Sequence, residues 1–311
     1  MKTISFFSYK GGSGRSTLAY NIIPILAKEH IRPTADHPII VADTDVDSCG
    51  MSYLLKVENK ITSTNCVQHL LGTPFDSKPT GSIKTHPFLS QLIPVGNAYG
   101  YPDNDAILFL PAQDGKNIGK DAKNNYSEAG GPSYMESLKS FLRLCDRAYG
   151  VPCVIFDSPV GNNALANVSS EAATVIISVM RPTTQFVNGT HRYWRDVEND
   201  AKMFSGDKHI VLVPNVIPQN QTEINGLRYP DAAISKIRDD FRMDFEDSIM
   251  NTYHFDMLDP NEFGIPAVDR FMWIEDSLYI RGEETLNENE KKALGRYRKL
   301  AKVIADIDAD Y

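Results

Sequence analysis

Residues 10–17 read Lys-Gly-Gly-Ser-Gly-Arg-Ser-Thr, a run whose composition suits the holding of phosphate. Gly11, Gly12 and Gly14 let backbone N–H groups converge on anionic oxygens with no Cβ in the way. An apolar run precedes them and a helical pattern follows, so the loop opens a helix whose N-terminus carries partial positive charge. Ser13, Arg15, Ser16 and Thr17 complete the cradle, and Ser16 stands where a hydroxyl ligates a Mg²⁺ that bridges two phosphates. A plain glycine-rich turn needs neither the hydroxyl pair nor the cation. The run therefore predicts a site for ATP and Mg²⁺.

Metal-assisted phosphoryl transfer also needs carboxylates, and parallel strands present such groups at their carboxyl ends. His37–Ala42 is followed by Asp43-Thr44-Asp45, and Val151–Phe156 by Asp157. Either site alone reads nearly as well as a cap or turn former, as Asp47 does. Their order behind a phosphate loop favours the metal reading.

The scaffold is legible from alternating apolar runs and helical patterns, which predict strands and crossover helices in a mostly parallel sheet. Strands are expected at Thr3–Ser8, His37–Ala42, Phe88–Pro94, Ala106–Pro111, Val151–Phe156, Ala173–Met180 and His209–Val213. Helices are expected at 16–30, 133–149, about 184–204, 231–250 and 286–307. The first would bury one face through Leu18, Ile22, Ile25 and Leu26. Residues 72–87, 112–132 and 216–230 read as loops.

Two departures from the common GxxxxGK[ST] pattern carry information. Arg15 replaces the usual lysine; its guanidinium forks onto two oxygens but does not mimic a point-charge ammonium. Lys10 stands early, directly before two glycines. That early lysine resembles the deviant Walker A ATPases of the ParA/MinD group, whose signature is KGGxGK[ST]. The resemblance implies that Lys10 reaches across a dimer interface to the partner's nucleotide, while Arg15 holds the position of the in-cis lysine. Asp43-Thr44-Asp45 resembles the group's DxD motif, which implies that Asp45 orients water and Asp43 supports the Mg²⁺ shell. VIFDSPVG resembles its Walker B strand, which implies that Asp157 holds Mg²⁺ through water. VLVPNV resembles the strand whose Asn reads the adenine edge, here Asn215. Gly264-Ile265-Pro266 resembles the late element beside the base, here Pro266. The resemblance runs from about residue 3 to 270 and is most specific in its first motif.

The implied fold is α/β, a mostly parallel twisted sheet with helices on both faces, in a P-loop NTPase of the ParA/MinD type. It would form one domain over 1–311 with surface insertions near 72–87, 112–132 and 216–230 and a C-terminal helix at 286–307. The implied activity is a slow ATPase switch, with Arg15 bearing on hydrolysis more than on binding. It would form a homodimer in the ATP state, meet a partner protein that stimulates hydrolysis, and partition DNA or position a protein assembly. Two alternatives stay open. One is a nucleotide-binding scaffold that hydrolyses little, which Arg15 supports. The other is an ATP-dependent ligase or synthetase with 112–132 as lid, against which the paired glycines and Lys10 argue.

Composition sets further bounds. The 311 residues are 42% hydrophobic and 23% charged, as in ordinary globular chains. The net charge of −8 disfavours whole-surface attraction to nucleic acid or anionic lipid. A local patch is a separate matter: residues 291–302 hold six basic side chains, with Lys292, Arg296 and Lys299 on one helical face. Such a patch reads either as the solvated basic face of a surface helix or, when two subunits align, as a contact for non-specific DNA. The acidic end IADIDADY opposes membrane targeting, no apolar run approaches the ~18 residues of a membrane span, and the first residues lack a cleavable-signal pattern. A cytoplasmic, nucleoid-associated location is expected. Cys49, Cys66, Cys145 and Cys153 form no CxxC pair and read as buried thiols. Their contexts do not match an iron–sulfur relative, and a lone terminal Tyr311 does not match the tyrosine cluster of a kinase relative.

Overall fold

The computed structural model describes residues 1–72, 78–113, 131–199, 208–220, 222–224, 227–229, 231–245, 253–257 and 264–307. Along the chain lie β1 (Lys2–Ser8), α1 (Arg15–Ile25), β2 (Ile39–Asp43), α2 (Gly50–Leu55), α3 (Val67–Gly72), β3 (Ile93–Pro94), β4 (Ile107–Leu110), α4 (Gly131–Tyr149) and β5 (Cys153–Val160). Then follow α5 (Ala164–Ala172), β6 (Val175–Met180), α6 (Thr184–Asn199), β7 (Lys208–Pro214), β8 (Thr222–Ile224), β9 (Leu227–Tyr229), α7 (Asp231–Phe245), β10 (Tyr253–Met257), α8 (Leu278–Arg281) and α9 (Glu288–Asp306). Contacts group the chain into two compact units, 1–5 with 27–173 and 6–26 with the chain from Thr174 onward.

In the first unit β2 pairs in parallel with both β4 and β5, and β3 adds an antiparallel edge to β4. Every residue of β2 is buried, as expected of a parallel strand covered on both faces. Val67 and Leu70 of α3, Leu138, Phe141 and Leu142 of α4, and Leu165 and Val168 of α5 share one core with Ile40, Val154 and Phe156. Ser5, Ser158 and Ser169 form a buried hydroxyl chain with links of 2.7 and 2.8 Å. Ser169 also donates to the Leu165 carbonyl, so α5 is pinned to β5 one residue past Asp157.

In the second unit β7 lies between β6 and β10, all parallel, while β8 and β9 form a small antiparallel pair. Phe7 stacks on Tyr193 of α6 at 4.6 Å and meets Trp194 edge-on at 5.7 Å. The Trp194 indole donates to Ser178 Oγ of β6 at 3.0 Å, which satisfies its N–H inside the core. Helix α9 starts from a capping box of Asn287 and Glu290 and buries Leu294, Tyr297, Leu300, Ala301 and Ile304. It packs on α1. Parallel pairing dominates in both units, so the class is α/β with mostly parallel strands.

Several expectations need correction. The first helix is buried nearly all round, not along one face. Its α-helical part stops at Ile25, after Pro24, and Leu26–Ile31 continue as a wider π turn. Proline removes a helix N–H, and the wider turn absorbs the offset; Arg32 N–H then bonds the Ala27 carbonyl, closing the π turn at a φ of 55°. Phe88–Pro94 is mainly a 3₁₀ turn over Leu89–Gln91, and only Ile93–Pro94 pair as strand. Strand β5 does not end at Asp157 but runs on to Val160. Within 216–230, the β8–β9 pair replaces part of the expected loop. Most of the expected loop 112–132 lies outside the described residues, as do the ends of the helices expected at 184–204 and 231–250.

All four cysteines are free and buried. Burial pushes the Cys153 thiol up to about 12 and raises that of Cys145 as well. Both therefore stay protonated and act as packing groups. No described helix is long and apolar enough to cross a membrane.

Candidate functional site

The second unit holds the whole loop 10–17. Gly12 and Gly14 adopt left-handed φ values of 80° and 78°. Gly14 is also the N-cap of α1, and neither a capping side chain nor a first-turn acidic residue occupies that terminus. The helix thus offers its first N–H groups and its positive end to a ligand. Gly14 is required sterically as well. A Cβ there would stand 2.7 Å from Asn215 Nδ2 and 3.3 Å from Val216 Cγ2, whereas nothing lies within 4 Å of one built at Gly12.

Asn215, at the end of β7, is tied to this loop. Its Nδ2 donates to the Ser13 carbonyl at 2.9 Å and to the Gly14 carbonyl at 3.3 Å. Two carbonyl acceptors fix which end of the amide is nitrogen. The donor end therefore ties down the loop, and the other end of the amide is the acceptor Oδ1. Asn215 and Pro266 share the wall of a cavity of about 490 Å³ with Gly12, Gly14, Thr17 and Phe271. That volume suits a nucleotide.

The two cations differ in environment. Lys10 is exposed; its Nζ donates to Gln185 Oε1 and lies 5.6 Å from the Phe186 ring centre. Both partners sit on the first turn of α6. The Arg15 side chain is only 6% exposed, and its Nη2 reaches Ser16 Oγ at 3.4 Å. Burial of a guanidinium beside the helix N-terminus concentrates positive charge where phosphate would lie. Gly11 is exposed, Ser13 buried, and Ser16 and Thr17 half-buried.

The predicted carboxylates are gathered in the first unit. Asp43 and Asp157 are register partners on β2 and β5, so they project from the same row of adjacent strands. They are 0% and 1% exposed. Thr44 ties the strand ends together, with its N–H and hydroxyl both on the Asp157 carbonyl at 2.9 and 3.1 Å. Asp45 is 5% exposed; its N–H donates to Asp43 Oδ1 and its Oδ1 accepts from Ser48 N–H. One oxygen of Asp45 thus forms the turn into α2. Asp47 is exposed. Among the described residues no group of three or more His, Cys, Asp or Glu is placed to hold a metal alone.

Sequence reasoning missed the far wall of the cavity. Asn21, fully buried, donates to the Thr17 carbonyl and accepts from Leu278 N–H at 2.9 Å each, so α1 holds the first residue of α8. Asp269, Phe271, Met272, Glu275 and Arg181 also line the cavity, and Thr17 Oγ1 donates to Glu275 Oε1 at 3.2 Å. Asn21 was findable as a lone amide in the run AYNIIPI, four residues after Thr17. Asp269, Phe271, Met272 and Glu275 stand in a segment with no periodic pattern, and Arg181 directly follows β6.

No protein-family profile and no curated protein matches the chain by sequence. Solved structures match it throughout. The ATP complex of a McdA variant from Cyanothece aligns with a TM-score of 0.60 at 14% identity, covering 100% of this chain and 98% of that one. The septum site-determining protein MinD of Pyrococcus horikoshii, complexed with Mg-ADP, aligns at 0.54 and 16% identity over 100% and 99%. A plasmid partition protein from Borrelia burgdorferi bound to AMPPNP aligns at 0.56 and 14% identity over 97% and 98%. At these identities the likeness establishes the fold: the chain is built as the ParA/MinD-type P-loop proteins are.

Proposed function

We propose that this chain, folded as ParA/MinD-type ATPases are, is an ATP-dependent switch that binds Mg²⁺-ATP on residues 10–17, pairs with a second copy in that state, and separates after slow hydrolysis. The observation that carries this reading is the uncapped, glycine-built N-terminus of α1 opening on a nucleotide-sized cavity. The nucleotides bound by the McdA, MinD and plasmid-partition neighbours support the ligand class. In this reading both compact units serve one ATPase domain.

Mg²⁺ would be held by Ser16 and, through water, by Asp43 and Asp157, where it would neutralise charge between two phosphates. Asp45 orients the attacking water. Arg15 supplies a forked cation to phosphate oxygens, a bulkier and more rigid partner than lysine, which favours slow turnover. Lys10 leaves Gln185 and reaches the nucleotide of the second copy. Gly11 to Thr17 contribute backbone N–H groups, and Asn215 Oδ1 and Pro266 meet the adenine.

The cargo follows from surface charge. Lys292, Lys299 and Lys302 are exposed along one face of α9, the face opposite its buried side chains. A dimer doubles that stripe, which supports sequence-independent DNA contact in the ATP state and hence DNA partition over positioning of a protein assembly. Sedimentation tests the whole reading. A slow ATP analogue with Mg²⁺ is expected to convert the chain to a dimer that retains random-sequence duplex at low salt, and ADP is expected to leave it monomeric. Lys292→Glu with Lys299→Glu should keep the dimer and lose the duplex. A species distribution indifferent to nucleotide would overturn the switch.

A further inference from the structure

We infer that Glu275 is the ribose-reading residue of the cavity, so that the site selects ribonucleotides over deoxyribonucleotides; this rests on the nucleotide reading and deepens it. A carboxylate is an odd neighbour for a phosphate loop, since it repels the anion that the loop is built to hold. Yet Glu275 lines the same cavity as Gly12 and Gly14 and accepts from Thr17 Oγ1 at 3.2 Å.

Its place in the fold is braced. Arg270 Nε lies 3.1 and 3.2 Å from the two oxygens of Asp276, and Arg281 Nη1 lies 3.1 Å from Asp276 Oδ2. Ser277 caps α8, and Leu278 N–H is held by buried Asn21. These contacts fix the residues on the C-terminal side of Glu275 to α1, the helix that carries the phosphate loop. Glu275 itself is exposed, so water screens its charge and little is lost by keeping it ionised near phosphate.

Covalent order then assigns the ligand group. Phosphates lie on the glycines, and the cavity extends from there to Asn215, Pro266, Phe271 and Tyr297, where a base fits. Between phosphate and base stands the ribose, whose 2′- and 3′-hydroxyls are donors. A carboxylate at the Thr17 edge of the cavity is the acceptor that such a diol requires, and the same chemistry serves ribose recognition in dinucleotide-binding folds. Asp269 lines the cavity too, but no contact ties it to the phosphate loop.

The test is calorimetric titration of the full chain and of Glu275→Gln and Glu275→Ala with ADP, 2′-deoxy-ADP, 3′-deoxy-ADP and pyrophosphate. The natural chain is expected to bind ADP about 10-fold more tightly than at least one deoxy analogue, the loss of one charge-assisted hydrogen bond. Glu275→Ala should weaken ADP by a similar factor, leave that deoxy analogue unchanged, and so erase the discrimination. Equal binding of ADP and both deoxy analogues by the natural chain would overturn the inference alone. So would tighter binding of pyrophosphate and every nucleotide to both variants, since that is repulsion of phosphate. Failure of every nucleotide to bind would overturn the nucleotide reading along with it.

Discussion

Gly14→Ala is expected to lower ATP affinity by about 30- to 1,000-fold, and Gly12→Ala by clearly less. Both glycines sit at φ near +80°, where an L side chain costs about 1–3 kcal/mol. Only Gly14 adds a steric penalty. Its Cβ would press on the Asn215 amide at 2.7 Å, which breaks the two bonds from Nδ2 to the loop carbonyls, each worth about 0.5–1.5 kcal/mol. Strain and lost bonds together span about 2–6 kcal/mol, and a binding cost in the lower part of that range, about 2–4 kcal/mol, sets the fold-change. Calorimetric titration with Mg²⁺-ATP checks the affinities, and thermal melts show that the folded state survives. Equal losses at the two glycines would mean that φ alone matters and that Asn215 does not shape the loop.

Lys10→Ala is expected to leave ATP binding by the monomer within about 2-fold and to abolish ATP-dependent dimerisation, a loss of well over 10-fold in dimer affinity. In the structure Lys10 touches Gln185 and the Phe186 ring and nothing in the cavity. Both contacts are at the surface, and such contacts contribute little, so the side chain leaves them at small cost. Its removal should therefore cost the monomer almost nothing. Gln185→Ala supplies the complement: with its resting partner gone, Lys10 is freer to bridge, and the dimer should form at equal or lower ATP concentration. Light scattering with a slow ATP analogue reads both variants. Dimerisation of Lys10→Ala equal to that of the natural chain would remove the trans role from Lys10.

The glycine-built turn at 10–17 was legible because its determinants are local. Glycines, a hydroxyl pair and a flanking strand and helix all fall within one short stretch, and the left-handed φ of Gly12 and Gly14 follows from residue type. The aspartates on β2 and β5 were legible for a similar reason, since an apolar run followed by Asp marks a buried parallel strand. The exact ends were not: β5 continues past Asp157 because Ser158 finds hydroxyl partners on β1 and α5, and pairing of that kind has no local signature. The same holds for α1, where Pro24 and a long-range buried environment replace the one-sided helix that its pattern implied. The far wall of the cavity was invisible in sequence. Glu275 and Phe271 belong to an irregular segment whose placement depends on Asn21, Asn289 and a bridge between Ile217 and Pro266. Asn215 was legible as a candidate but its contacts were not, because only the fold brings its donor end to the loop carbonyls.

The most direct test is a crystal structure grown with Mg²⁺ and a millimolar slow ATP analogue. The β- and γ-phosphates should lie on the backbone N–H groups of Gly11 to Thr17, with the ribose and base in the cavity beside Asn215. An unchanged, ligand-free loop, or one whose anion site is filled by the Arg15 guanidinium, would contradict the account.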